Sequence, residues 1–330
     1  MTVLAYRDAL RRALYEEMKQ DERVFILGED VGAYGGAYKV TDGLLKEFGE
    51  SRVRDTPLSE AIIVGAAMGA AMVGGRPVAE LMYVDFATLA MDQIVNQAAK
   101  IHYMFGGQLS VPMVLRTQQG TGRGAGAQHS QSLESWFVHI PGLKVVAPYA
   151  PRDAYGLLKS SIRDGNPIIF LEHKGLYAVK GEVEDGEFTI PLGVADIKRA
   201  GTDVTIITYS RMVGLALDVT EKYAQQGVEI EVVDVRTLKP LDFNTMAESA
   251  GKTGRVIVLH EAVKTGGVGA EISAELNTRL FGRLKAPILR VAAEDVPLPA
   301  NLELEKAVIP GADKLGAAID EVMRYQQEKS

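Results

Sequence analysis

Apolar runs of strand length alternate with longer segments of helical periodicity along the whole chain, the pattern of parallel sheets covered by helices on both faces. In the first half, strands are expected at residues 24–27, 77–81, 112–116, 143–147 and 167–171, each short, apolar and followed by turn residues or a helix start. Helices are expected at 6–19, 59–73, 88–103 and 152–163, with Asp8, Asp92 and Asp153 in or near first turns, where the macrodipole favours acids. Residues 177–190 turn polar and charged, carry Gly181 and Gly186, and read as a linker. A second α/β unit follows, with strands at 204–208, 229–234, 256–260 and 288–291 and helices near 213–226, 243–251, 269–280 and 314–325. The fold class is therefore α/β in two domains, 1–185 and 186–330, each a mainly parallel sheet covered by helices. A chain of 330 residues is also too long for one typical core.

Composition narrows the function. The 36 basic and 43 acidic residues leave a net charge of -7 and no basic stripe, which argues against nucleic acid as a partner. No run reaches the roughly 18 apolar residues needed to span a bilayer, and residues 1–8 lack the basic-then-apolar pattern of an export signal, so a cytoplasmic location and no membrane partner are expected. Cysteine is absent, which excludes a disulfide, a thiolate nucleophile, a zinc ribbon or an iron–sulfur cluster built from this chain.

Three regions could carry chemistry. Glu60 opens a helix after Asp55-Thr56-Pro57-Leu58-Ser59, and the next 15 positions carry no charge, so this helix is expected to be buried nearly all round. Glu60 is either a first-turn acid favoured by the dipole or a carboxylate at the mouth of a dry pocket, suited to sharing a proton with a ligand nitrogen. The run Gly120-Thr121-Gly122-Arg123-Gly124-Ala125-Gly126-Ala127-Gln128-His129 forms a glycine-dense loop that can approach a ligand closely. It lacks the Gly-Lys-Ser/Thr ending of a phosphate loop and the strand–turn–helix setting of a dinucleotide fingerprint. His129 at its end is either a hydrogen-bonded structural residue or a site residue. The turn Leu27-Gly28-Glu29-Asp30 places Glu29, a ligand-facing or a solvated acid, at a strand end where α/β sites form, and Phe86 follows the second strand at the same edge as core or as ligand platform. His102, His139, His173 and His260 stand singly, without metal-ligand spacing.

Taken in order, Leu27-Gly28-Glu29-Asp30-Val31, Asp55-Thr56-Pro57-Leu58-Ser59-Glu60, Asp92-Gln93-Ile94-Val95-Asn96-Gln97-Ala98-Ala99-Lys100, Gln128-His129-Ser130-Gln131 and Asp234-Val235-Arg236-Thr237-Leu238-Lys239-Pro240 resemble the beta subunit of the decarboxylating component of 2-oxo acid dehydrogenase complexes, which include the pyruvate, branched-chain and acetoin dehydrogenases. The similarity runs from about residue 3 to residue 325.

The resemblance implies a transketolase-like pyrimidine-binding domain followed by a transketolase C-terminal domain. It also implies an alpha subunit, in an α2β2 heterotetramer, that binds the diphosphate of thiamine diphosphate through Mg²⁺. This chain carries neither the Gly-Asp-Gly nor the Asn-Asn of that diphosphate motif, and so holds half a site. In such enzymes the thiamine C2 proton is removed by the cofactor's own 4′-imino group, which requires a carboxylate hydrogen-bonded to N1′ of the aminopyrimidine. By resemblance Glu60 is that carboxylate, Phe86 stacks on the pyrimidine, and Leu58 and Met82 line the ring's pocket. His129 matches the active-site histidine that orients substrate or lipoyl group and supplies a proton in reductive acylation. Glu29 matches an acid in a polar tunnel between two cofactors. A structural potassium ion would fall to backbone carbonyls around Met113, Ser161, Ile162, Asp164 and Asn166.

The implied activity is that of an oxidoreductase acting on an oxo group with a lipoyl disulfide as acceptor, docked to a lipoyl-bearing acyltransferase core. Pyruvate is the favoured substrate. Glu80-Leu81-Met82-Tyr83-Val84-Asp85-Phe86 is at least as similar to acetoin dehydrogenase beta subunits, so acetoin and branched-chain 2-oxo acids stay open. Ala300 stands where many relatives carry an aromatic. A silent assembly module is the non-enzymatic alternative; only the enzyme needs Glu60, Phe86 and His129 together. A split transketolase would need sugar-phosphate contacts, for which no arginine and histidine set is evident.

Overall fold

Strand β1 (Thr2–Ala5) leads directly into the helix Tyr6–Gln20, whose Tyr6, Leu10, Leu14 and Met18 recur every fourth residue and form one buried stripe. The computed structural model describes residues 1–325, within which the chain divides into two compact units, Met1–Gln119 with Trp136–Leu192, and Gly120–Ser135 with the residues from Gly193 onward.

In the first unit, β2 (Val24–Gly28), β3 (Val53–Asp55), β4 (Arg76–Leu81), β5 (Val114–Gln119), β6 (Lys144–Val146) and β7 (Ile168–His173) align in the order β3-β2-β4-β5-β7-β6, all parallel. Burial on both faces explains the apolar runs in β2 and in Ile168–Leu171 of β7, whereas β5 turns polar after Leu115. The register pairs Gly28 with both Asp55 and Glu80, Leu81 with Thr117 and Gln119 with His173, so the carboxyl ends share one edge. The chain leaves β2 for β3 on one side and returns to β4 on the other, and that reversal opens the crevice in which α/β ligand sites form.

Two expectations for this unit change. The single helix expected at 88–103 is a 3₁₀ segment, Val84–Ala90, a π-helical segment, Asp92–Ala98, and a short α-helix, Ile101–Met104. The buried positions Val84, Ala87 and Ala90 recur every third residue, a spacing that suits the three-residue turn; the wider turn then shows in the Ala99 N–H donating to the Ile94 carbonyl. The expected linker 177–190 contains β8 (Lys180–Val183), which pairs antiparallel with β1 from Thr2 opposite Val183 to Ala5 opposite Lys180. Tyr177, Val183 and Ile190 are buried in the first unit's core, so only part of this polar stretch faces water.

In the second unit β9 (Asp196–Arg199), β10 (Val204–Thr208), β11 (Ile230–Asp234), β12 (Thr237–Lys239), β13 (Val256–Val263) and β14 (Leu289–Ala293) follow in sequence, and the central sheet runs β14-β13-β10-β11-β9. Its pairs are parallel except that β9 joins the edge antiparallel. The helices Met212–Ala224, Phe243–Thr253, Val268–Arg279 and Ala312–Arg324 flank it, and Asp242 caps the second of them by accepting from the Thr245 N–H at 3.1 Å. Among the described residues no helix is long and apolar enough to cross a membrane.

Candidate active site

At the crevice beside β2, Glu29 follows the strand directly. The loop beyond it is pinned by Asp55 at the end of β3, which accepts from the Gly32 N–H at 2.6 Å and the Ala33 N–H at 3.1 Å. The Thr41 hydroxyl donates to the Val31 carbonyl at 2.7 Å, closing the same loop from beneath. Two residues at this edge adopt positive φ without being glycine, Asp30 at 54° and Tyr83 at 70°; backbone strain of this kind collects at ligand sites.

Glu60 begins the helix Glu60–Met72 and is only 9% exposed. That helix packs against the 3₁₀ segment carrying Phe86, a half-buried ring that meets Tyr83 edge to face at 6.4 Å. Burial, and then the charges of Asp30 and Glu60, hold the Glu29 carboxyl above its ordinary range. Glu29 and Glu60 are therefore close enough to sense each other. Met82 is half-buried beside them in sequence with Phe86, whereas Leu58 is 70% exposed. A buried carboxylate, a second acid with a raised pKa, an aromatic face and apolar neighbours form a donor set that fits a flat, nitrogen-bearing ring with one protonatable nitrogen.

A buried polar network lies behind this edge. Arg116 on β5 donates to Glu172 on β7 and to Glu80 on β4, Gln118 donates to Glu80 at 3.0 Å, and Tyr177 donates to Glu172 at 2.5 Å. The Gln118 side-chain oxygen accepts from the Tyr83 N–H at 3.0 Å, tying the network to the strained turn before Phe86.

The helix Glu60–Met72 is not buried all round in this chain. Ile62 is 70% exposed and Val73 just past its end is 87% exposed; Ala66 and Gly69 lie on the same face and are exposed as well. Those positions are spaced by four, three and four, so the uncharged stretch covers a buried face and an apolar face left to water. An apolar-walled groove of about 580 Å³ borders it, lined among others by Phe25, Leu27, Pro57, Ala66, Ala70 and Val73.

Residues proposed for potassium gather at the end of the helix Pro151–Arg163 and the start of β5. The Ile162 and Asp164 carbonyls accept from Arg76 Nη1 at 2.7 and 3.2 Å, and the Met113 carbonyl accepts from the Ile168 N–H at 2.9 Å. The Ser161 carbonyl accepts from the Asp164 N–H at 3.4 Å, and Asn166 donates to the Asp164 carboxylate. The cluster draws a cation, and a guanidinium already supplies one; each carbonyl retains a second lone pair.

His129 belongs to the second unit, half-buried at the end of the glycine-rich loop. The loop closes where the Gly120 N–H meets the Gln131 carbonyl at 3.0 Å, and it is held by buried Glu261, which accepts from the Thr121 N–H at 2.7 Å. Beside it lies a cavity of about 530 Å³ lined by Thr121, Gln128, Gln131, Glu261, Asp295 and Leu298 among others. Ala300 lies beside this loop: a Cβ at Gly124 would come within 2.6 Å of the Ala300 carbonyl oxygen, which requires glycine at 124, while the Ala300 side chain itself is exposed. His260 is of another kind. Its ring is fully buried and stacked with Tyr209 at 6.3 Å, and burial pushes its pKa down to about 4, so it is neutral at pH 7.

Asp55, Gln118 and Glu261 were not singled out by the sequence. The signal available for Asp55 was its place before Thr-Pro at a strand end; for Gln118 and Glu261 it was a polar side chain toward the end of a strand that begins apolar.

Comparison with known proteins divides the chain at nearly the same place, near residue 190, but keeps the loop 120–135 with the first domain. The family described as transketolase, pyrimidine binding domain, matches residues 2–180, and transketolase, C-terminal domain, matches residues 193–315. A solved structure titled split gene transketolase, inactive beta4 tetramer, superposes with a TM-score of 0.82 over 98% of this chain and 100% of that one at 22% identity, which speaks for the fold alone. The class is thus a transketolase-type pairing of pyrimidine-binding and C-terminal domains.

Curated relatives resolve it further. The chain is 48% identical to the pyruvate dehydrogenase E1 component subunit beta of Gracilaria tenuistipitata var. liui, over 94% of this chain and 96% of the relative. It is 46% identical to the acetoin:2,6-dichlorophenolindophenol oxidoreductase subunit beta of Cupriavidus necator, over 97% and 98%. It is 44% identical to the 2-oxoisovalerate dehydrogenase subunit beta of Bacillus subtilis, over 98% and 100%. The chain belongs to the family of beta subunits of the thiamine-diphosphate-dependent decarboxylating component of 2-oxo acid dehydrogenase complexes.

Proposed function

We propose that this chain, with an alpha subunit, decarboxylates a 2-oxo acid using thiamine diphosphate and passes the acyl group to a lipoyl group on an acyltransferase core. The observation that carries the reading is Glu60, a carboxylate buried at the start of a helix that packs against the segment bearing Phe86, its charge felt by Glu29. Bound thiamine diphosphate would supply a ring carbon that can carry negative charge. The chain's own residues hold and tune that ring: Glu60 accepts a hydrogen bond from N1′ and stabilises its proton, Phe86 flanks the pyrimidine, and Met82 and Leu58 wall it from water. Glu29, its pKa raised by burial and by the charges of Asp30 and Glu60, holds a proton more readily than an ordinary carboxylate does. His129 orients the incoming group and supplies a proton in acyl transfer.

The diphosphate and Mg²⁺ fall to the alpha subunit, since no Gly-Asp-Gly or Asn-Asn occurs in this chain. The carbonyls of Met113, Ser161, Ile162, Asp164 and Asn166 would hold potassium through their remaining lone pairs. Assembly as α2β2 is supported by the apolar face at Ile62, Ala66, Gly69 and Val73. Pyruvate is the favoured substrate; relatives named for pyruvate, acetoin and 2-oxoisovalerate fall within a narrow span of identity, so turnover on all three by the assembled enzyme decides it.

The test separates Glu60 from His129 in that assembled enzyme. Glu60→Gln keeps a hydrogen bond but cannot stabilise a protonated N1′, so deuterium exchange at the thiazolium C2 should slow. His129→Ala should leave exchange intact and lower lipoyl-dependent turnover by roughly 10²-fold, the scale of a positioned acid or base. Normal exchange in Glu60→Gln would remove Glu60 from its role.

A further inference from the structure

Along the loop that ends in His129, Gly120, Gly122, Gly124 and Gly126 all lie in the left-handed region, with φ of 89°, 100°, 60° and 78°. Alternating left-handed residues turn backbone N–H groups toward one side, the arrangement that makes a concave anion site. Here the anion belongs to the chain itself. The carboxylate of Glu305 accepts from the Gly122 N–H through Oε1 and from the Gly124 N–H through Oε2, the latter at 3.1 Å, and Glu305 is 1% exposed. Glu261 takes the neighbouring Thr121 N–H. Three backbone donors in four residues thus end on two buried carboxylates.

Glu305 sits on the short helix Leu302–Val308, whose start is fixed by the Asn301 side chain accepting from the Glu303 N–H at 2.9 Å and the Leu304 N–H at 3.1 Å. The approach is close: the Ala300 carbonyl oxygen lies 2.6 Å from where a Cβ at Gly124 would sit. Both ends of the clasp are therefore ordered, and the loop between them is made of residues with the greatest conformational freedom when unheld. A loop of this composition presents an imidazole in one place only if its backbone is anchored, and the anchors are Glu305 and Glu261.

We propose that Glu305 is a positioning residue for His129, acting through the Gly122 and Gly124 N–H groups; the inference rests on His129 serving acyl transfer as read above. In Glu305→Gln the new amide turns a donor toward an N–H donor, so one of the two bonds is lost without a change in size. The experiment uses the assembled αβ enzyme. Expected is a fall in kcat of roughly 10- to 100-fold in lipoyl-dependent turnover, the cost of a small misplacement of a reacting group. Artificial-acceptor turnover and C2 exchange should stay within about twofold of the unsubstituted enzyme, matching the pattern of His129→Ala.

The deciding measurement is the double variant. If Glu305 acts through His129, adding Glu305→Gln to His129→Ala costs no more than about a further twofold, because the group it positions is already gone. Independent, multiplying losses would overturn the inference and make Glu305 a general structural residue, as would full lipoyl-dependent activity in Glu305→Gln. A fully active His129→Ala enzyme overturns the reading of His129 and this inference with it. Should Glu305→Gln fail to fold or assemble, Glu305→Asp carries the same test: it keeps the charge but withdraws it by one methylene, and is expected to lose less activity with the same non-additivity toward His129→Ala.

Discussion

Arg116 Nε and Nη2 meet the two carboxylate oxygens of Glu172 at 2.6 and 2.8 Å, a bidentate pair in which both side chains are fully buried. Glu80 takes the third position at 2.7 Å, so one guanidinium holds two carboxylates in the middle of the first unit's sheet. Removing it strands both. Arg116→Met is expected to lower stability by about 3–5 kcal/mol, the scale for leaving buried charge uncompensated. Urea unfolding of the purified chain measures this, and an unchanged midpoint would show that the carboxylates find other compensation.

His260 sets an acid limit on the second unit. Its pKa falls from 6.5 to about 4 on burial, so the unfolded chain binds the proton more readily than the folded one. Stability present above pH 6.5 is therefore lost as pH drops toward about 4, by about 3 kcal/mol from this one group. His260→Gln should flatten that part of the stability profile, and equal slopes in the two proteins would be the contrary result.

Glu29 acts with the opposite sign. Burial and the charges of Asp30 and Glu60 raise its pKa, so the folded state is favoured while Glu29 is protonated and loses that advantage as pH rises through its raised pKa. Glu29→Gln should melt at a higher temperature than the unsubstituted chain at pH 7, with the gap closing at acid pH. A variant less stable at neutral pH would mean that the carboxylate is compensated by a partner.

Apart from its chain neighbours and its own helix backbone, Gly69 has no atom among the described residues within 4 Å of where a Cβ would sit. Gly69→Phe should leave the chain's own melting temperature unchanged or slightly raised, since glycine weakens a helix interior. On the exposed face with Ile62 and Val73, the same ring should block close approach by another chain. Light scattering after co-expression with the alpha subunit reads this directly, and intact assembly would place the contact elsewhere.

The sheets were legible because their strands are buried on both faces and read as uninterrupted apolar runs, as in Val204–Thr208, where every residue is buried. The candidate residues of the first unit stood out in the sequence because Glu60 is the one charge on an otherwise neutral helix and because Glu29 and Phe86 follow strands whose ends are easy to place. What stayed hidden depended on pairing over distance. Lys180–Val183 is polar on the exposed face and becomes a strand only through β1; nothing local marks it. Residues 84–98 keep a burial rhythm that a single helical period cannot follow, and the break into 3₁₀ and π turns shows only in the hydrogen bonds. Nothing in the sequence marks Glu305, because its partners are backbone N–H groups about 180 residues earlier, which no side-chain pattern records.

The ribbon between Thr2–Ala5 and Lys180–Val183 also dictates an order of events. During synthesis Thr2–Ala5 has no strand partner until Val183 has left the ribosome, so this ribbon closes only after the strands between its two halves have been made. Its closing step brings together ends separated by nearly the whole unit, a contact of high sequence separation that forms late and opens early. The strand Thr2–Ala5 is thus a latch drawn shut only after the sheet beside it has been made.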